Sequence, residues 1–442
     1  MSFTRRSPIA FGYIEYRRVI SSCGEREAGI VAERGANDLS MTMTVTAPPD
    51  VRSAVLARGL RAHPASLFQF DPRMAAGWYS DTYFVRTART LAHAGRDPAV
   101  TMQVFAKHDG VIAGVYEVVR MLQTQLAPHP VSGSQYDVSE LTIETLLEGD
   151  PVRPWETVLR ISGPYLSFAH LETVYLGVLA RRTLVASNVR RVLDAAAGKP
   201  VLYMGARHDD WRVQTPDGYA ARVGGAGEVS SDAGGAWWGV RGVGTMPHSM
   251  IASFGGDTVA ATLAFARYVM SEEPEVKVAS LVDYDNDAVG TTLAVARAMR
   301  DEFGPGHLWA VRIDTSEKLV DKALAARAAA NPKEQLNGVV PALVEAVRNA
   351  LDAEGFREVG IGVSGGFTPI KIARFEALGV PVTFYGVGSS LLGHNRGEAD
   401  GLVTSFDFTA DIVRVDRHEE SKIGRGERAN PSLVRVTNEM LK

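Results

Sequence analysis

The chain has 442 residues, of which 45% are apolar and 22% charged, and its net charge is −4. These values are typical of a folded protein of two or three domains, and they argue against nucleic acid as the main partner. The single cysteine, Cys23, excludes a disulfide framework and a cysteine-based zinc site within one chain, which fits a cytoplasmic protein. No apolar run reaches about 18 residues, so no membrane span is predicted.

The first stretch, residues 1–62, differs from the rest of the sequence. It mixes arginine, glycine and serine, and its hydrophobic periodicity is weak. Arginines near its start are not followed by an apolar segment, so a signal peptide is not predicted. We interpret residues 1–62 as a loose N-terminal tail, or as residues upstream of a translation start at Met41 or Met43.

A mixed domain is predicted for residues 63–167. Its strands and amphipathic helix follow from alternating and helical apolar spacing at 101–105, 157–161 and 113–126. The sequence near the C-terminus, 404–415, alternates again, and we expect it to return to this domain. The prediction is therefore an α+β domain built from N-terminal and C-terminal segments, 63–167 with 402–442.

The middle of the chain, residues 168–401, alternates strand-like and helical patterns. After a helix at 168–197, six short apolar runs follow, at 201–204, 242–245, 278–282, 308–311, 359–363 and 382–385. The helices between them are predicted at 257–270, 287–303, 339–354 and 368–378. Alternating strands and helices indicate a parallel sheet, and we expect an irregular α/β barrel. Its six strand ends would meet on one face, where such barrels have their active sites.

Two glycine-rich segments follow the last two of these strands. They are Ser364-Gly365-Gly366 and Gly386-Val387-Gly388-Ser389-Ser390. Glycines allow backbone N–H groups to converge on an anion, and α/β barrels often bind phosphate at their last strand ends. Two ordinary tight turns are the alternative, but two such loops in succession favour phosphate binding.

Carboxylates and an arginine follow the third and fourth strands. Asp283 and Asp285 would face the same side if the strand continued through them, as suits Mg²⁺, ribose hydroxyls or a cationic transition state. Asp287 is expected to cap the following helix. Arg312 and Asp314 form a second pair of charges, and the alternative for them is a structural ion pair.

Three further residues near strand ends could carry chemistry. His248 follows the second predicted strand and precedes an apolar helix, so a chemical role competes with a structural one. Arg207 and His208 follow the first strand and could bind a carboxylate or phosphate, since arginine does so through two hydrogen bonds. The alternative for Arg207 and His208 is an exposed pair at the rim.

Taken in order, these strand ends resemble those of the nicotinate phosphoribosyltransferase family, the type II phosphoribosyltransferases. The resemblance covers residues 67–428. The motifs that carry it are Gly205-Ala206-Arg207, Gly244-Thr245-Met246-Pro247-His248, Val282-Asp283-Tyr284-Asp285, Val311-Arg312-Ile313-Asp314, Val363-Ser364-Gly365-Gly366 and Tyr385-Gly386-Val387-Gly388. Two more stretches agree, Tyr79 to Phe84 and Asp407 to Asp411.

The resemblance implies transfer of a 5-phosphoribosyl group from phosphoribosyl diphosphate to nicotinate, coupled to ATP hydrolysis, in NAD salvage. It implies His248 as a transient phosphohistidine, and Asp283 and Asp314 as residues facing ribose and Mg²⁺-diphosphate. It also implies Arg207 and Arg312 as contacts of the diphosphate or of the acceptor carboxylate. A homodimer or larger assembly is expected, with Tyr83 of one subunit stacking on the acceptor ring in its neighbour.

The catalytic set expected from position and resemblance together is His248, Asp283, Arg312 and Asp314. The residues expected to bind substrates are Tyr83, Arg207, His208, Thr245, Asp285, Ser364, Gly365, Gly366, Gly386, Gly388 and Ser389. Departures from relatives are Met204, where some have an aromatic residue, and His208, where many have a second arginine. Zinc is not expected.

Other activities remain open from the sequence. Quinolinate or nicotinamide could be the acceptor, although quinolinate has two carboxylates and should need a denser cluster of arginine and lysine. A non-catalytic homologue that keeps the scaffold is a third possibility, against which the intact carboxylates and glycine loops argue. A barrel isomerase or aldolase would normally have a strand-end lysine or a Glu/His base, and no lysine lies at the six predicted ends.

Overall fold

The structure is a computed structural model and describes residues 49–442. It divides into two compact units. Unit 1 comprises the described residues up to Lys107, Val115–Val178 and Phe408–Lys442, and unit 2 comprises His108–Gly114 and Leu179–Asp407. None of the helices within 49–442 is long and apolar enough to cross a membrane.

The secondary structure alternates along most of the chain. The α-helices are α1 (Pro49–Ala62), α2 (Ala65–Phe68), α3 (Thr82–His93), α4 (Val115–Thr124), α5 (Tyr165–Phe168), α6 (Glu172–Ala195), α7 (Gln214–Gly224), α8 (Asp232–Gly235), α9 (His248–Ser253), α10 (Thr258–Glu272), α11 (Ala288–Phe303), α12 (Ala325–Ala330), α13 (Pro341–Ala353), α14 (Pro369–Ala377) and α15 (Asn438–Leu441). The strands are β1 (Ala99–Ala106), β2 (Gly110–Val111), β3 (Thr142–Thr145), β4 (Pro151–Val152), β5 (Thr157–Pro164), β6 (Val201–Tyr203), β7 (Glu228–Val229), β8 (Ala279–Leu281), β9 (Ala310–Ile313), β10 (Gly360–Val363), β11 (Phe384–Val387), β12 (Phe408–Val415), β13 (His418–Glu419) and β14 (Val434–Arg435).

Unit 1 contains an antiparallel sheet in the order β13-β12-β1-β5-β3-β14. Its central strand, β1, pairs with β5 on one side and with β12 on the other, so that Val104 lies opposite both Leu159 and Ala410. The alternating sequence near the C-terminus therefore does return to the N-terminal strands. Strand pairing thus joins segments that are about 300 residues apart in sequence.

Helix α1 lies where the sequence suggested a loose tail. Residues 1–48 of that predicted tail lie outside the described residues, but 49–62 form a regular helix. Arg52, Leu56 and Leu60 are buried and recur at every fourth position, which gives the helix one packed face. Only two of these residues are apolar, which explains why the pattern is weak in the sequence.

Unit 2 contains a parallel sheet in the order β7-β6-β11-β10-β9-β8. The parallel arrangement confirms the prediction for the middle of the chain. The strand ladder has two edges, β7 and β8, so the sheet is a curled half-barrel and not the closed barrel that remained possible. Helices α10, α11, α13 and α14 lie within a few residues of their predicted bounds.

One of the six predicted strands is wrong. Residues 242–245 form a loop, and the edge strand is instead β7. The loop is held by other bonds, since the amide of Gly242 donates to the Asp232 carboxylate at 2.7 Å and that of Val243 to the Val229 carbonyl at 2.8 Å. Gly242 also lies directly against the backbone of Ser231, where a side chain would not fit.

Candidate active site

The carboxyl ends of five parallel strands bring the predicted residues of unit 2 to one edge of the sheet. Arg207 follows β6, Asp283 follows β8, Asp314 follows β9, Ser364 follows β10 and Gly388 follows β11. Because all these strands run in the same direction, their polar ends meet on the same face. The structure therefore brings these predicted residues to one sheet edge, whereas the second predicted strand is not part of that edge.

Arg312 lies at the centre of this edge and joins three loops. Its guanidinium donates to the Ser364 hydroxyl and to the Met246 carbonyl, both at 3.1 Å, and its nearest nitrogen lies 3.4 Å from the Asp314 carboxylate. Its Nε is buried without a hydrogen-bond partner among the described residues. Burial lowers the pKa of Arg312, while Asp314 and Asp283 oppose that effect. Arg312 therefore makes contacts beyond the structural ion pair with Asp314 that was the alternative interpretation of the sequence.

His248 and Asp283 form the second close pair. Pro247 precedes α9, whose first residue is His248, and the imidazole Nε2 lies 3.3 Å from the Asp283 Oδ1. The histidine side chain is 48% exposed, whereas that of Asp283 is 4% exposed. Burial raises the pKa of Asp283 and the charge of Asp314 adds to this, while His248 and Arg312 lower it. The imidazole is therefore well exposed, and the carboxylate lies buried behind it.

Two of the predicted site residues do not join this cluster as expected. Strand β8 ends at Leu281, and the amide of Asn286 closes a turn onto the Asp283 carbonyl at 3.0 Å. Asp283 is buried and Asp285 is exposed, and the strand does not continue through them, so the condition under which they would face the same side is not met. Thr245 is half-buried in the loop before α9, and its hydroxyl has no hydrogen-bond partner within residues 49–442. The helix cap predicted for Asp287 is confirmed, since its carboxylate accepts from the Gly290 amide at 3.0 Å.

The loop after β10, here the 364–366 loop, has an unusual backbone. Gly365 and Gly366 have φ angles of +85° and +66°, which side chains other than hydrogen rarely allow. A Cβ atom on Gly365 would lie 2.7 Å from the Asp314 Oδ1. In residues 49–442, no acceptor is found for the amides of Gly365, Gly366 and Phe367. These N–H groups are available for an anion.

The second glycine-rich segment, residues 386–390 and here the 386–390 loop, begins within β11 and lies against β6 and the residues that follow it. Gly386, which was predicted to follow the strand, is a buried residue of β11. A Cβ atom on Gly386 would lie 2.6 Å from the Met204 sulfur, and one on Gly388 would lie 2.7 Å from the His208 Nε2. Burial lowers the pKa of His208, and the neighbouring Arg207 and His394 lower it further. His208 is therefore beside the glycine loop. Ser389 is half-buried at the start of a short 3-10 turn.

Lys371 belongs to the site and was not identified from the sequence. It lies in the first turn of α14, and its Nζ returns to within 3.5 Å of the Gly365 carbonyl. The same nitrogen lies 4.2 Å from the centre of the Phe367 ring. Burial lowers the pKa of Lys371 to about 8, while Glu317 and Asp314 oppose this. The sequence signal that could have identified Lys371 is a lysine in the first helical turn after a glycine loop.

Tyr83 lies in unit 1, on α3. Its ring is 59% exposed and contacts the ring of Phe84, with centroids 4.3 Å apart. Its hydroxyl is 3.4 Å from the Asp81 carboxylate, to which it donates. The expected stacking of Tyr83 on an acceptor ring in another subunit stays a prediction.

The carboxylates of Asp283 and Asp314 are the candidates for holding Mg²⁺. No group of three or more His, Cys, Asp or Glu residues with metal-binding geometry occurs in the described part of the chain. Mg²⁺ is commonly held by one or two carboxylates together with phosphate oxygens of the substrate. The Asp283 Oδ1 is buried without a hydrogen bond, so this pair fits a metal ion that arrives with a phosphate ligand.

Comparison with known proteins agrees with this arrangement. The family described as quinolinate phosphoribosyl transferase, N-terminal domain, matches residues 81–183. Nicotinate phosphoribosyltransferase pncB1 of Mycobacterium tuberculosis is 27% identical over 400 residues, covering 84% of this chain and 82% of the relative. The chain is therefore similar to nicotinate phosphoribosyltransferases over most of its length. 

Solved structures are similar to this chain over most of its length. The nicotinate-nucleotide pyrophosphorylase of Pyrococcus furiosus superimposes with a TM-score of 0.65 at 28% identity, covering 81% of each chain. Human nicotinic acid phosphoribosyltransferase superimposes with a TM-score of 0.59 at 21% identity, covering 79% of this chain and 77% of the human chain. At this identity, the similarity to the human protein concerns the fold alone.

Proposed function

We propose that this protein is a type II phosphoribosyltransferase that transfers the 5-phosphoribosyl group of phosphoribosyl diphosphate to nicotinate, in NAD salvage. The observation that carries the proposal is the pairing, at one sheet edge, of two glycine loops with two carboxylates. This arrangement supplies anion binding beside groups that can stabilise a cation. The names of relatives such as the M. tuberculosis protein support nicotinate as the acceptor.

The reaction forms one bond and breaks one bond at the ribose C1. The nicotinate ring nitrogen donates its electron pair to C1, and the bond from C1 to the diphosphate oxygen breaks with its electrons leaving on diphosphate. The products are nicotinate mononucleotide and diphosphate. Positive charge develops on the ribose as the leaving group departs, so the carboxylates of Asp283 and Asp314 stabilise the transition state. The glycine loops hold the 5-phosphate.

The leaving diphosphate needs positive charge around it. Asp283 and Asp314 would hold Mg²⁺, which would supply Lewis-acid neutralisation of the leaving diphosphate. Arg312 adds a fixed positive charge, and Arg207 can bind the diphosphate or the acceptor carboxylate through two hydrogen bonds. Arg312 is already oriented by Ser364 and Met246, so little reorganisation is needed when the substrate binds.

ATP hydrolysis is coupled to transfer through His248 in this proposal. An imidazole nitrogen attacks the γ-phosphorus of ATP, ADP leaves, and water later releases phosphate from the histidine. The exposed ring of His248 supports this role, and the Asp283 Oδ1, which lies 3.3 Å from the imidazole Nε2, is placed to orient the ring. We propose in addition that the enzyme acts in the cytoplasm as a homodimer or larger assembly, with Tyr83 contributed between subunits.

The test is product analysis by mass spectrometry. The protein is incubated with phosphoribosyl diphosphate, Mg²⁺ and nicotinate, nicotinamide or quinolinate, with and without ATP. Nicotinate mononucleotide formed from nicotinate, in larger amount with ATP, is the expected result. No mononucleotide from any acceptor would reject the proposed activity.

Quinolinate is the second candidate acceptor, because the family that matches residues 81–183 is named for it. Transfer to quinolinate also yields nicotinate mononucleotide, but with the loss of one carboxylate as CO₂. Quinolinate labelled in the 2-carboxylate therefore distinguishes the two, since only quinolinate transfer releases labelled CO₂. Among the described residues, Arg207, Arg312 and Lys371 are the arginine and lysine residues identified at this edge, and one acceptor carboxylate suits them better than two.

A further inference from the structure

Lys371 is a half-buried ammonium group without a carboxylate partner. Within residues 49–442, no carboxylate oxygen lies within 4.0 Å of its Nζ, and its closest acceptor is the Gly365 carbonyl at 3.5 Å. Lys199, by contrast, is paired with the Glu376 carboxylate at 2.8 Å. Holding a cation partly out of water without a counter-ion is unfavourable. A negatively charged ligand would supply the missing partner.

The groups next to this ammonium are also donors. The amides of Gly365, Gly366 and Phe367 have no acceptor in the described chain, and the left-handed φ angles of the two glycines determine the direction of these amides. Helix α14 begins directly after them, so its positive end adds to the same region. The segment from 365 to 371 thus combines three unpaired N–H groups with one unpaired ammonium.

Of the anions in the proposed reaction, the phosphate monoester suits this segment best. Its three terminal oxygens can accept from several amides and from an ammonium group at once. The 386–390 loop, on the neighbouring strand β11, is the second glycine loop at the same edge. The carboxylates that fit Mg²⁺ follow β8 and β9 instead, so the diphosphate belongs to that side.

We propose that Lys371 binds the 5-phosphate of the phosphoribosyl donor, together with the amides of the 364–366 loop. The inference rests on the proposed function and names one further residue of its donor site. Lys371 pairs with the phosphate only when substrate is present, and in the free protein its ammonium lies over the Phe367 ring, 4.2 Å from the centroid. Loss of the ammonium should weaken donor binding and leave the bond-breaking groups in place.

The experiment is calorimetric titration with ribose 5-phosphate, which carries the phosphate but no leaving group. Lys371→Met should raise the Kd about 10- to 100-fold, as expected for one charge-assisted hydrogen bond, and Lys371→Arg should recover most of the affinity. Lys277→Met is the matched control. Its nitrogen also lies over an aromatic ring, 5.0 Å from the centre of the Trp309 ring. Lys277 precedes β8, however, and is therefore at the opposite end of the strands. It should bind ribose 5-phosphate as the parent does.

A second measurement uses the acidity of the ammonium. Because the pKa of Lys371 is lowered to about 8, the amine is protonated at pH values well below 8 and loses its positive charge as the pH rises through 8. Parent affinity should fall as pH rises above about 8, and Lys371→Arg should remain flat to about pH 10. The charged groups that face the amine are Glu317 and Asp314, and both act against its deprotonation.

Each outcome decides the proposal. Equal affinities for ribose 5-phosphate in the parent and in a folded Lys371→Met protein would overturn it, and so would an absence of binding to the parent. If Lys371→Met does not fold, the comparison of Lys371→Arg with the parent across pH gives the answer. Binding that depends on Lys371, without formation of any nicotinate mononucleotide, would uphold the Lys371 assignment and reject the proposed acceptor.

Discussion

Replacement of Gly365 by alanine should separate the backbone role of the 364–366 loop from its contact with a carboxylate. The φ angle of +85° makes alanine unfavourable by about 1 kcal/mol. The new methyl carbon would also lie 2.7 Å from the Asp314 Oδ1, about 0.7 Å closer than the 3.4 Å of an ordinary contact. The carboxylate must therefore move. Displacement of a reacting group by less than 1 Å should lower kcat about 10- to 100-fold.

Gly366→Ala is the matched control for this change. Its φ of +66° gives a similar backbone penalty, but no atom lies within 4 Å of its Cβ position. Chemical denaturation and steady-state kinetics should show similar losses of stability and similar increases in KM for the donor. Only Gly365→Ala should show the additional fall in kcat. Equal kcat values for the two variants would refute the argument that Gly365 controls the position of Asp314.

Three further predictions concern the histidine, the sheet interior and the pH dependence of stability. His248→Ala should remove the stimulation by ATP and spare some basal transfer, and coupled assays that show equal stimulation would contradict the phosphohistidine. Gly362→Ala would bring a carbon within 2.1 Å of the Phe384 ring, which is stacked on Trp309 with centroids 5.1 Å apart, so it should destabilise the protein by about 1–3 kcal/mol. Adding Phe384→Leu should restore the melting temperature, and an unchanged melting temperature in the single variant would count against this packing. Burial and nearby carboxylates raise the pKa of Glu172 to about 8, so the folded state retains a proton that the unfolded state releases, and stability should fall as pH rises from about 4.5 to 8. Glu172→Gln should have a smaller slope of melting temperature against pH over that range, and an identical slope would contradict the assignment.

The sequence predicted the parallel sheet and its functional edge because these depend on local patterns. Each of β6, β8, β9, β10 and β11 is a short apolar run that ends in a polar or glycine residue, and chain direction alone then brings those ends together. The 364–366 loop was found for the same reason, since the need for a positive φ angle is recorded in residue type. Gly386 and Gly388 are instead required by the close approach of Met204 and His208. Arg312 and Asp314 were paired correctly because their spacing of two keeps them on one side of a strand.

The remaining features depend on contacts between distant residues. The edge strand β7 has two residues, which is too short for any periodicity, and the loop at 242–245 resembled a strand because Val243 is flanked by small residues. Asp283 and Asp285 differ in exposure because the strand ends at Leu281, before either of them. Lys371 is one of several lysines on surface helices in the sequence, and only its return toward Gly365 distinguishes it.

The pairing of β1 with β12 has a consequence for biosynthesis. A ribosome that adds about 5–20 residues per second completes β1 roughly 15–60 seconds before β12 emerges. During that interval one edge of β1 has no partner, although β5 can already pair with the other. The last residues also close unit 1, because Arg120 donates to the Leu441 carbonyl at 2.9 Å. The nascent chain therefore carries an open strand edge through most of its synthesis, and chaperones that shield such edges should affect its yield more than its final activity.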